Sequence, residues 1–201
     1  MLAVLKSILP KPRIRDLVAL QQFLDGEAAY LAQRSVIDFT RNELGNFGTH
    51  ALTDPRFQQE LAVSRWEGFV ATLADMTALV HARLVEAGAP RQTLDQRLGD
   101  LYAAILAGHP LPEHRTQGWE ADVAALRTRL GVRQHEPVDP QADATATGLR
   151  VFDTLPFTLR DPVESRMVLA NAFAFGLISF NDRLRRLLVV APLCDELAAR
   201  A

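Results

Sequence analysis

The densest cluster of potential metal ligands in this chain is His109-Pro110-Leu111-Pro112-Glu113-His114. Imidazole and carboxylate both suit zinc, but a site needs at least three ligands in tetrahedral geometry. The two prolines stiffen this stretch as a connection between helices. His109, Glu113 and His114 are therefore read as solvated loop residues and no metal or other cofactor is expected; these three are the ligands to mutate should a metal be found.

Two further pairs of residues could take a ligand. At about 100° per residue, Arg65 and Trp66 flank opposite sides of an apolar helical stripe, with Glu67 pointing nearly away from it. An arginine so placed could hold an anion at the mouth of an apolar groove. The plainer reading lays its stem along the core with its head in water, and Trp66 beside it as packing. Asn171 and Asn181 fall in or beside a strongly apolar stretch, where buried amides must find partners. They could orient the polar head of a ligand, or satisfy neighbouring side chains and backbone.

Sharper signatures are missing. The chain has no GxxxxGK[ST] phosphate loop, no GxGxxG fingerprint and no HExxH. It has no GxSxG elbow either, and Ser179 lies inside an apolar helix rather than on a strand-to-helix turn. The paired Glu-x-x-His of a di-iron bundle does not occur. No motif names a family.

The elements that would position such residues are read from proline, glycine and periodicity. Ile14, Leu17, Val18 and Leu24 predict a helix over 13–25, broken or recapped at Asp25-Gly26. Ala29, Ala32, Val36 and Phe39 continue as a second helix to Leu44, with a loop expected over 46–53. Asp54-Pro55 caps a long helix that Gly88 and Pro90 stop, with room for a kink at Gly68. Thr93-Leu94-Asp95-Gln96 resembles a capping box. Helices are also predicted from Trp119 to Leu130 and, less regularly because of Gly148 and the threonines, over 140–155, with a loop between them over 132–139. Asp161-Pro162-Val163-Glu164 opens the last long helix, which Pro192 stops. Its stretch Met167–Phe180 is apolar around the whole circumference, which predicts a surrounded, central helix. The fold class expected is all-α, a single-domain bundle of six to seven helices with a buried apolar C-terminal helix.

Composition bounds the partners. The chain has 201 residues, 48% apolar and 23% charged, with net charge −2, so no broad basic surface for nucleic acid is implied. Lys6, Lys11, Arg13 and Arg15 make the beginning basic. Residues 1–12 are read as a short basic arm and 13–201 as one helical domain. Residues 1–15 could touch an anionic membrane, although the segment is short for that. Cys194 is the only cysteine and forbids an intrachain disulfide. The longest uncharged apolar run is fourteen residues, against roughly 20 for a membrane span. A cytoplasmic protein without a transmembrane segment is expected.

The function expected is non-catalytic: a helical binding or adaptor protein that presents an apolar groove to a protein partner or to a second copy of itself. A carrier of a small apolar ligand between helices, with Arg65, Asn171 or Asn181 at its polar end, is the alternative. An enzyme with its site assembled from separate helices is third, and facing buried carboxylates or histidines would mark it.

Overall fold

The computed structural model describes residues 13–132, 139–159 and 161–199, so the basic arm over 1–12 and most of the connection over 132–139 lie outside the described residues. Among the described residues, seven helices of ten residues or more and one of six build the fold: α1 Leu17–Leu44, α2 Asn46–Ala51, α3 Pro55–Glu86, α4 Arg91–Ala107, α5 Glu120–Val132, α6 Pro140–Phe152, α7 Pro162–Leu187 and α8 Val190–Ala199. The protein is an all-α bundle. Extended pairing among the described residues is limited to one isolated parallel bridge, Ile14 to Leu188. There the Ile14 N–H donates to Leu187 O and the Val189 N–H to Ile14 O, each at 2.9 Å.

α3 is the centre. The Asp54 carboxylate accepts the N–H groups of Arg56 and Phe57, and Pro55 occupies the first turn, where its missing N–H costs nothing. The helix then packs against α1, α4, α5, α6 and α7. Buried residues run along it from Leu61 to Leu84 on more than one side. Gly68 brings no break; a Cβ there would meet Val151, Ala32 and Phe173 at 3.2–3.4 Å, so this is where α1, α6 and α7 converge on α3.

Several expected boundaries are corrected. Asp25-Gly26 neither breaks nor recaps a helix, because α1 runs through it for 28 residues. One glycine costs a helix about 1 kcal/mol, and Leu20, Leu24, Ala28, Leu31 and Ala32 form an unbroken buried stripe across it. The loop expected over 46–53 contains α2, set off from α1 by Gly45 at φ 52. Thr93 caps nothing: α4 starts two residues earlier, without a side-chain cap. Pro192 lies in the first turn of α8, and it is extended backbone at Leu188 that ends α7.

The largest correction concerns α7. One face is buried, through Leu169, Ala170, Phe173, Ala174, Leu177, Phe180 and Leu184, but the helix is not surrounded. Both α3 and α7 are long and apolar enough to cross a membrane by length and composition; 78% of that stretch is buried in α3 and 39% in α7. The uncharged-run criterion missed both, because each apolar stretch is longer than its uncharged part. α3, whose sequence reads as a one-sided stripe, takes the central place.

Candidate functional site

The outer face of α7 is the first candidate. Asp161 starts the helix by accepting the Val163 and Glu164 N–H groups at 3.1 Å. Away from the core, Glu164, Val168, Asn171, Phe175, Ile178, Asp182 and Arg185 recur at alternating four and three residues, and all are exposed. Beside them, Val163 is 77% and Met167 52% exposed; Phe175 in the row itself reaches 71%. α1 meets α7 at Gly176, where a Cβ would stand 2.0 Å from Leu31 Cδ1. Outside that contact the two helices leave a groove of about 430 Å³, lined by Tyr30, Arg34, Asp38 and Phe39 from α1 and Val168, Ala172, Phe175 and Ser179 from α7. Arg34 lies 5.8 Å from the Tyr30 ring centre and pairs with Asp38 at 3.3 Å, so the charges on the α1 wall offset each other. Val168, Phe175 and Ile178 thus stand exposed together beside a groove, a grouping of large apolar side chains that is suited to an interaction site.

The second candidate is a cleft of about 340 Å³ between α3, α5 and α6, whose floor is set by alanines and Leu126 and whose rim carries Asp75, Asp122, Arg129, Asp143 and Arg150, the last of which leads to an ionic cluster around Glu67. Glu67 Oε1 accepts from Arg115 Nε at 2.7 Å and faces His114 Nε2 at 2.9 Å; Oε2 accepts from Arg115 Nη2 at 2.6 Å and Arg150 Nη2 at 2.7 Å. Asp122 accepts from Arg115 Nη1 at 2.8 Å and from Arg150 Nη2, which it shares with Glu67, at 2.9 Å. Two turns along α3, Asp75 accepts from Arg129 at 2.7 Å and from the Thr147 hydroxyl at 2.6 Å, while Arg129 also pairs with Asp143 at 2.9 Å.

Two opposing effects set the charges there. Burial pushes the Glu67 carboxyl up, but its bonds to Arg115, His114 and Arg150 outweigh that and hold it below the ordinary carboxylate range. Asp75 lies deeper, and burial raises it despite Arg129 and Thr147. Burial works against charge on Arg129 and Arg150 too, and their carboxylate partners more than restore it. Burial, with Asp122 nearby, drives the Tyr102 phenol upward, and its hydroxyl donates to Val70 O at 3.2 Å. The arrangement neutralises charge: each of Glu67, Asp75, Asp122 and Asp143 is bound by a guanidinium. It ties α3, α5, α6 and the 108–119 connection together. Among the described residues no group of three or more His, Cys, Asp or Glu is placed to hold a metal.

The residues singled out in the sequence disperse. Arg65 donates to Gln58 O on its own helix, at 3.3 Å. Trp66 packs edge-on against Phe69 and His109 at 5.7 Å and beside Trp119 at 6.1 Å. Asn171 is exposed on the outer row of α7, and half-buried Asn181 accepts from Arg83 at 3.4 Å. The three loop residues reach different partners: His109 meets Asp25 at 2.8 Å, His114 meets Glu67, and Glu113 meets Gln59 at 3.5 Å. Only Trp66 and His109 are brought together.

Sequence reasoning missed the ionic cleft. Glu67, judged to point away from the apolar stripe, is buried because α3 has neighbours on that side as well. The available signal was Asp143, Thr147 and Arg150 at helical spacing, matched by Asp122 and Arg129 seven apart and by Asp75 inside an apolar run. No protein-family model, no curated protein and no solved structure matches this chain.

Proposed function

We propose that this protein is a non-catalytic helical binding protein whose working surface is the outer face of α7 and the groove it shares with α1. The observation that carries this reading is Phe175, 71% exposed in a row with Val168 and Ile178 and beside an open groove. At about 25 cal/mol per Å² of apolar surface, leaving such a row in water is costly, and covering it would drive association. Both helices that form the face begin with an aspartate cap, Asp16 on α1 and Asp161 on α7, and they pack closely at Gly176, so little ordering would be needed on binding.

A photoreactive amino acid placed at Ile178 in the native host tests the reading, with Gln96 on the exposed side of α4 as the control position. Discrete protein adducts at position 178 and none at 96 are expected. Equal labelling at both positions, or none at 178, would count against a binding face here.

A small apolar ligand is the second reading, favoured by one observation. A cleft of about 580 Å³ opens between α4 and the start of α5, lined by Ala103, Ala107, Leu111, Trp119 and Val123, with Arg127 among its walls. Binding of a radiolabelled fatty acid by wild type, abolished in Val123→Trp, is the outcome that would support it.

A further inference from the structure

We propose that the occupant of the α7 face is a second copy of this chain, docked with the two α7 helices antiparallel. The inference rests on the binding reading above and deepens it by naming the partner.

The row Glu164, Val168, Asn171, Phe175, Ile178, Asp182, Arg185 has the four-three spacing of a coiled-coil seam, and every member is exposed. The seam is apolar in its middle and charged at its ends, and the ends differ in sign. Asp161 and Glu164 stand at the beginning of α7, Arg185 and Arg186 at its end. Nearby charges on the same helix are paired within the fold: Arg166 with Asp153 at 2.9 Å, and Arg183 with Glu27. Glu164, Asp182, Arg185 and Arg186 have no ion-pair partner among the described residues.

Orientation follows from those charges. A parallel pair would set Glu164 against Glu164, Asp182 against Asp182 and Arg185 against Arg185. An antiparallel pair brings the acidic beginning of each helix to the basic end of the other, twice, as a two-fold interface requires. It also sets the helix dipoles head to tail. Centred between Asn171 and Phe175, this pairing places Val168 opposite Ile178 and Asp161 opposite Arg185. One layer opposes it: Glu164 comes level with Asp182, acid against acid.

Sedimentation of the full chain over a concentration series tests this. Wild type is expected to form a dimer. Ile178→Lys is expected to be monomeric and still to melt cooperatively, at a temperature that no longer rises with protein concentration as that of the wild type does, since the side chain faces outward. Arg185→Glu with Arg186→Glu should weaken the dimer by roughly tenfold or more; adding Glu164→Arg, which then faces Asp182 of the second copy and stands one turn from its position 185, should restore it, whereas in a parallel pair it would face only itself. Asp182→Lys, which removes the acid-against-acid layer, should tighten it. A dimer indifferent to Ile178→Lys, or a reversal that Glu164→Arg fails to rescue, overturns the antiparallel seam. A wild type that stays monomeric overturns the second copy as occupant. In that case discrete crosslinks from position 178 to another protein would leave the binding reading standing, and adsorption to anionic phospholipid vesicles through the same face would replace both with a lipid surface.

Discussion

A Cβ added at Gly148 would stand 2.5 Å from the Cα of Ala170 and 2.9 Å from its nitrogen, so α6 and α7 touch backbone to backbone. Neither backbone can rotate away as a side chain could. Gly148→Ala is therefore expected to destabilise by about 1–3 kcal/mol, the usual cost of overpacking, although alanine is the better helix former by about 1 kcal/mol. Gly26 is the control: nothing lies within 4 Å of a Cβ there. Gly26→Ala should stabilise by roughly 0.5–1 kcal/mol, and urea denaturation of both variants reads the opposite signs.

The two faces of α7 should respond oppositely to polar substitution. Phe173 and Leu177 are fully buried, so Phe173→Asp and Leu177→Asp would each enclose a charge without a partner and are expected to abolish folding. Phe175→Ser, on the outer face, should melt cooperatively and close to wild type compared at concentrations too low for association, and Arg185→Ala should there change stability by less than about 1 kcal/mol. A cooperative thermal melt from either aspartate variant would contradict the burial described for this face.

Glu67 should shape the acid side of the stability profile. Its folded pKa lies below the ordinary range, so the unfolded chain takes up the proton more readily. The stability it contributes is complete above the unfolded value of about 4.3 and is lost as pH falls through the folded value. Asp75, raised by burial, has the opposite sign: its contribution falls as pH climbs from the unfolded value through the folded one. Glu67→Gln is expected to cost on the order of 3 kcal/mol at neutral pH, because Arg115 and Arg150 lose a buried partner. It should also flatten the decline below about pH 4.3, which denaturant melts across the acid range would show.

The caps carried most of what the sequence could say about this fold. Asp54-Pro55 and Asp161-Pro162 begin α3 and α7 where their chemistry requires, since capping depends on neighbours in the chain and on nothing distant. Centrality depends on everything distant, and there the reading failed. Met167–Phe180 is apolar all round yet covered on one side, while α3, with Glu67 and Asp75 inside it, is enclosed because three arginines arrive from other segments. Periodicity counts apolar residues and cannot register a carboxylate neutralised by a guanidinium 48 or 83 residues away. The exposed row on α7 was hidden by the same limit: a second apolar face looks identical whether the fold covers it or leaves it open.

The bridge between Ile14 and Leu188, with the Leu17 N–H donating to Glu196 at 2.8 Å, fastens the start of α1 to segments more than 170 residues later. During synthesis, α1 can coil early from its own local bonds, but this clasp has no counterpart until α7 and α8 have left the ribosome. Contacts so far apart in sequence carry a large loop-closure cost and come late. The clasp at the start of α1 cannot close on a newly made chain before residue 188 has been added, so a chain truncated ahead of it is expected to be cut more readily by proteases near Ile14 than the full chain.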